Sequence, residues 1–423
     1  MTGRTTAALA VGTALAASVL VAVPASAAPV PQAAQAQQSK HVFSEAARSF
    51  IGANTVEQKV QRLQAAAAKL PRLSQAYNTP ALWNQGIVGA GATVATLVSY
   101  GDADIKKVID AYDKANGLPP ADISVIAPSG PVPGCTDPGV DTSTCQGWGG
   151  ETDLDVMMIH TMAPAAHIVI AATPVAETQG FTGLPEMMHA VDYMTEHRIA
   201  DVISMSFGTA EDTFPSLDSV KSLDPALERA SRAGVTLVAS AGDDGATNGQ
   251  LTGPDLFPYR TASWPASDPN VTSLGGTVLH LDADGNRTGP DTLWPRSGGG
   301  ISKTYARPSW QRGVAGVTQS RNRSFPDITM EGIHGTSESA PLFAGVLALA
   351  VQAHHGRLGQ INPALYTKLG PRAAESGIVD VTVGDNTYGG VTGYKADKGF
   401  DVVSGWGTLD AAKFVPALVH ALR

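Results

Sequence analysis

Cysteine is nearly absent from this sequence, with two residues in a chain of 423. That excludes a disulfide-dense scaffold and a four-cysteine zinc site, and leaves room for one bridge at most. Charge is also scarce, at 16% of residues, and it runs negative: 29 Lys and Arg against 38 Asp and Glu, a net charge of −9. Such a balance disfavours a phosphate-binding surface, and nucleic acid with it. It suits a protein that works where carboxylates are partly protonated. Beyond Val30 no stretch approaches the ~18 uninterrupted apolar residues that a membrane-spanning helix needs.

What is present is enough apolar material for a large core, 43% of residues, together with 45 glycines. At the start, Arg4, an apolar run from Ala7 to Val23 and the small-residue site Ala25-Ser26-Ala27 read as a secretory signal peptide over 1–27. Export makes the chain a secreted, extracellular protein. Residues 28–75 read as a short propeptide or leader, flexible and rich in Ala, Gln and Pro to Lys40, then helical in spacing from Val42 to Leu70. In an exported protein, Cys135 and Cys145, ten apart in a turn-rich segment without histidines, are expected to form a disulfide.

From Ala76 to the end, apolar strands alternate with amphipathic helices, which predicts an α/β fold with a doubly wound, mostly parallel sheet covered on both faces. Strands are expected over 92–100, 166–173, 200–208, 235–242 and 271–281. Helices are expected over 104–115, 151–163, 185–197 and 224–234. In such sheets ligands bind at the carboxyl ends of the strands, which directs attention to the residues after Ile203-Ser204-Met205 and Val238-Ala239-Ser240.

Ser337 stands in Gly335-Thr336-Ser337, a turn that opens an apolar helix, where a hydroxyl meets the positive end of the helix dipole. An ordinary helix cap would use the same residues. Glu151 and Asp155 are four apart, so on a helix their carboxylates share a face and repel by a few tenths of a kcal/mol. At the start of the helix expected over 151–163 they would simply answer the dipole; Asp153 points elsewhere. The ten histidines are scattered, and His334 alone lies near Ser337 in sequence. His160, His167, His189 and His197 fit surface or satisfied core positions.

Taken in order, these segments resemble the sedolisins, the serine-carboxyl peptidases with a subtilisin-like fold. The resemblance rests on Glu151-x-x-Leu154-Asp155 in a helix that ends in Ala-Pro, on Ala241-Gly242-Asp243, and on Gly335-Thr336-Ser337-x-x-x-Pro341; it runs from about Ala76 to the C-terminus. It implies peptide-bond hydrolysis with Ser337 as nucleophile, Glu151 as general base, Asp155 supporting it, and a protonated Asp243 at the oxyanion, hence activity at acidic pH. By the same likeness Ser206, Phe207 and Gly208 pair with substrate backbone, and Ser297, Gly298 and Gly299 line a second substrate loop. A Ca²⁺ site is implied with carboxylates from Asp380 and Asp401 and carbonyl oxygens from Val381, Asp397 and Gly399.

The expected partners are protein or peptide substrates, without nucleic acid or membrane, and the chain is expected to be a monomer. Endopeptidase action and tripeptide release are both open. Two alternatives stand beside this reading: a sedolisin-like binding protein that no longer cleaves, and a divergent subtilisin that uses a histidine such as His334. The connection from Phe325-Pro326-Asp327-Ile328-Thr329 to Ser337 is shorter than the family pattern, as is the leader.

Overall fold

The computed structural model describes Met1, residues 55–59 and residues 72–423. Apart from Met1, 55–59 and 72–75, the expected signal peptide over 1–27 and leader over 28–75 lie outside the described residues. Everything below concerns the unit from Gln37 to Arg423.

Seven parallel strands build the central sheet: β1 (Thr93–Ser99), β2 (Asp122–Ile126), β3 (His167–Thr173), β4 (Val202–Met205), β5 (Thr236–Ser240), β6 (Val271–Val278) and β7 (Ile328–Glu331). Their order is β7-β6-β5-β4-β1-β3-β2, and Thr292–Leu293 adds a short antiparallel strand to β6. β1, β4 and β5 are mostly apolar and buried at nearly every position, the pattern of strands covered on both faces. The major helices are α1 (Ile105–Asn116), α2 (Thr142–Met162), α3 (Leu184–Glu196), α4 (Asp224–Arg232), α5 (Thr336–His354) and α6 (Ala411–Leu422). They form two packed groups, α1, α2, α5 and α6 in one and α3 with α4 in the other, each group lying on the sheet. This is the α/β architecture expected from the sequence.

Most expected elements return with trimmed ends, but α2 differs in a way that matters. It begins at Thr142 rather than at Glu151, because Asp141 accepts the Thr144 N–H at 2.8 Å as an N-cap and the Cys135–Cys145 disulfide ties the first turn to the preceding loop. Glycines at 147, 149 and 150, each unfavourable in a helix by about 1 kcal/mol, are carried because this stretch is enclosed. Glu151 and Asp155 therefore sit inside the helix, beyond the reach of its N-terminal dipole. The short strands β2 and β7 had no counterpart among the sequence expectations.

Two features bring α2 and α5 together. Both are buried along most of their length. Where they cross, a side chain at Gly345 would meet Met162 Cβ at 2.7 Å and the Ile159 carbonyl at 2.9 Å, so only glycine permits this approach.

Candidate active site

Ser337 is the second residue of α5, preceded by Gly335 in the N-cap position at φ 112°, a backbone angle that favours glycine. Four residues later stands Pro341, which has no N–H to give to the Ser337 carbonyl. That carbonyl is thus released from the helical ladder, and the Ser206 hydroxyl reaches it at 3.4 Å. The Gly-Thr-Ser-x-x-x-Pro spacing has a local mechanical meaning: the proline opens a place for a neighbouring strand end to hold the serine's backbone.

Ser206 follows the end of β4, and the same hydroxyl lies 2.7 Å from Asp155 Oδ1. Thr96, from the middle of β1, donates to the other oxygen of Asp155. Burial pushes the Asp155 carboxyl up to about 7, and the two hydroxyl contacts only partly oppose it. One turn earlier, Glu151 is fully enclosed on the same helix. Asp153 is equally buried, and its carboxyl is held well above the ordinary range by burial and then by the charge of Asp102.

Asp243 follows β5 beyond Gly242, which turns the chain at φ 113°. Its Oδ1 accepts the Thr336 N–H at 2.7 Å and lies 2.9 Å from the Thr336 hydroxyl. The hydroxyl also accepts the Gly242 N–H at 3.0 Å, so β5 and the first turn of α5 are laced together beside Ser337. With donors converging on Oδ1, a proton carried by Asp243 belongs on Oδ2.

These strand and helix ends border a small cleft walled by Ser206, Phe207, Gly208, Gly242, Asp243 and Ser337 among others. Four further polar residues, Gln179, Asp244, Asn248 and Thr336, complete much of its lining. Ser206, Phe207 and Gly208, expected from the sequence to pair with substrate backbone, line this cleft. Glu151 is not part of the wall, nor are Ser297, Gly298 and Gly299. Those three are buried beneath the β5 turn: the Gly298 N–H donates to the Gly242 carbonyl at 2.7 Å, and the Ser297 hydroxyl accepts the Gly276 N–H at 2.9 Å. Gly298 packs so closely on Ala241 that a side chain there would meet its carbonyl at 2.1 Å.

The histidines fall as their scatter suggested. His160 is buried between the Pro119 carbonyl at 2.9 Å and Asp113 at 3.3 Å, and His167 pairs with Asp122 at 3.0 Å. His334 uses its backbone N–H toward Glu338 at 3.3 Å, and among the described residues no hydrogen bond joins its ring to Ser337.

Near the C-terminus, hydrogen bonds link the residues expected at a calcium site. The Gly399 N–H donates to Asp380 Oδ2 at 2.8 Å, and the Asp397 N–H to Asp401 Oδ2 at 2.9 Å. Ser404 links Asp401 at 2.9 Å to the Val381 carbonyl at 3.5 Å. Asp380 Oδ1 is buried without a hydrogen-bond partner, the kind of acceptor a hard cation satisfies. Among the described residues no cluster of three or more His, Cys, Asp or Glu side chains is placed to hold a metal, so a cation here would lean on carbonyl oxygens.

Thr96 went unnoticed in the sequence, and Thr336 was read only as part of the Gly-Thr-Ser turn. For Thr96 the available signal was a polar residue in the centre of a largely apolar strand.

Residues 139–407 match the Peptidase S8 model, the subtilase family. The chain is 30% identical over 352 residues to sedolisin of Pseudomonas sp. (strain 101), covering 77% of this chain and 57% of that protein. It is 28% identical over 376 residues to kumamolisin of Bacillus sp. (strain MN-32), covering 82% of this chain and 63% of the other. The chain thus spans less than two thirds of the length of these curated relatives. Among solved structures, Pseudomonas sedolisin, a serine-carboxyl proteinase complexed with two molecules of pseudo-iodotyrostatin, superposes with a TM-score of 0.66 at 25% identity, over 83% of this chain and 96% of that one.

Proposed function

Because this chain belongs to the subtilase family, on its sedolisin branch, we propose that it is a serine-carboxyl peptidase that hydrolyses peptide bonds at acidic pH. One observation carries the reading: carboxyls from two different elements reach the start of α5, Asp243 by accepting the Thr336 N–H on Oδ1, and Asp155 through the Ser206 hydroxyl, which lies within reach of both its Oδ1 and the Ser337 carbonyl. The Ser337 hydroxyl attacks the scissile carbonyl, and Glu151 takes its proton and returns it to the leaving amine. Asp155, kept neutral by burial at acid pH, supports Glu151 from one turn away on α2. Asp243 donates from Oδ2 to the tetrahedral oxyanion, which requires that it be protonated and so favours acid conditions. Ser206, Phe207 and Gly208 hold the substrate backbone along the cleft, and Ser297, Gly298 and Gly299 support it by bracing the β5 turn.

Protein or peptide chains are the substrates, and the protein acts as a monomer. The N-terminal apolar run with Ala25-Ser26-Ala27, and the disulfide in an otherwise cysteine-free chain, support export to the extracellular medium. No described helix is long and apolar enough to cross a membrane. The orphaned Asp380 oxygen beside Asp401, with the Val381, Asp397 and Gly399 loops, fits a bound Ca²⁺ that would neutralise the two carboxylates and fix the C-terminal loops.

The reading is tested by digesting an unfolded protein at about pH 4 and identifying the new termini by mass spectrometry, beside a Ser337→Ala control. New termini from the wild type alone are expected, and their positions separate internal cleavage from tripeptide release. The same termini from the control would remove the assignment.

A further inference from the structure

The loop that delivers Ser337 runs only from Gly332 to Gly335, and an acid stands at each end of it. Glu331 is the last residue of β7 and Glu338 lies in the first turn of α5, so regular structure anchors both. Their exposures are 5% and 1%. Glu338 folds back over the loop, where Oε2 accepts the His334 N–H at 3.3 Å, and the Glu331 N–H is held by the Tyr77 hydroxyl at 2.6 Å.

Their surroundings hold too little positive charge. Asp291, also buried, contributes a third carboxyl, and Arg287, the one guanidinium near the cluster among the described residues, lies 3.3 Å from it. His334 faces Glu338, His280 faces Asp291, and Tyr77 and Tyr112 complete the titratable groups around the cluster. Three carboxylates in this enclosure cannot all ionise against one arginine, because like charges in a low dielectric hold a proton between them. Both glutamates are accordingly pushed above the ordinary carboxyl range, first by burial. For Glu331 the next cause is the charge of Glu338, whereas His334 opposes the shift at Glu338.

We propose that Glu331 and Glu338 are positioning residues for the nucleophile, a buried carboxyl pair spanning the two ends of its loop, which seats Ser337 only while the pair keeps a proton. When that proton leaves, repulsion acts on the first turn of α5, where a small displacement strains the Thr336–Asp243 and Ser337–Ser206 hydrogen bonds together. The pair is separate from the catalytic carboxyls, although its effect on rate rests on the reading of Ser337 as nucleophile.

Glu331→Gln and Glu338→Gln, made separately, are neutral isosteres of the protonated acids, and either one suffices if the other fails to fold. Thermal unfolding at about pH 4 and about pH 7.5 tests the pair without reference to activity. Wild type and variant are expected to melt alike at the lower pH, with the variant several degrees higher at the upper one. With a peptide substrate, kcat should fall toward neutral pH more steeply in wild type than in the variant, by about tenfold for each pH unit of displacement, while KM stays unchanged. Glu338→Ala, which removes the acceptor for His334, should lose kcat at every pH. Equal melting temperatures at about pH 7.5, or superimposable kcat profiles, would overturn the proposal. Absence of cleavage by wild type would instead overturn the peptidase reading and leave the melting result to decide the pair.

Discussion

The Ser206 hydroxyl lies 2.7 Å from Asp155 Oδ1. It also lies 3.4 Å from the carbonyl of Ser337, so one side chain at the end of β4 joins the acidic helix to the backbone of α5's first turn. A residue expected to bind substrate is thus part of the scaffold that holds Asp155 and Ser337 in place.

Ser206→Ala removes that link without adding bulk. We expect kcat to fall about tenfold with KM little changed, since the loss disturbs alignment at the reacting centre. Steady-state kinetics on one peptide substrate measures both; a rise in KM at constant kcat would place Ser206 in substrate binding alone.

Asp243 offers a sharper chemical test. Asp243→Ala should lower kcat by about 10²–10³, the usual loss for one oxyanion donor. Asn keeps an acceptor for Thr336 and a donor that needs no proton, so Asp243→Asn should stay within about tenfold of wild type at acid pH. Equal damage from both substitutions would mean that the acid itself, rather than its donated hydrogen bond, matters.

Much of this was legible in the sequence, and the misses have physical causes. The parallel sheet announced itself through largely apolar runs such as Val202–Met205, and α5 through its Gly-Thr-Ser opening. The first turns of α2 did not, because Gly147, Gly149 and Gly150 carry a loop-like propensity that only tertiary enclosure overrides. β2 and β7 are five and four residues long, too short for periodicity to declare them. Glu331 and Glu338 drew no sequence expectation, because their burial is a property of the packed molecule.

Stability should depend on pH in a direction fixed by the buried acids. Burial raises Asp155 and Asp268 to about 7 and Asp291 to about 6. Carboxyls raised in the fold contribute stability fully present below their unfolded value of about 4, which is lost as pH rises through the folded values. The melting temperature is therefore expected to fall between about pH 4 and about pH 8, by roughly 2–4 °C for each kcal/mol lost. Asp268→Asn should recover part of the fall at the upper pH and change little at the lower. A melting temperature that rises over this range would contradict the burial argument.

Calcium makes a separate prediction. Chelator in excess should lower the melting temperature of the wild type, because a ligand bound only to the folded state stabilises it. Asp380→Ala, which removes the buried orphan oxygen, should make the protein insensitive to chelator. An unchanged wild-type transition would remove the cation from these loops.

The central claim is that a serine hydroxyl is activated by carboxyl groups and not by histidine. It is tested most directly by the rate of hydrolysis of one peptide from about pH 3 to about pH 8, with wild type, Glu151→Gln and Ser337→Ala side by side. The account predicts a wild-type maximum in the acid range, decline toward neutrality, and losses of at least about 10⁴ in the Ser337→Ala variant, with a severe loss in Glu151→Gln. A wild-type profile that climbs to neutral pH, or a Glu151→Gln variant as active as wild type, would contradict it.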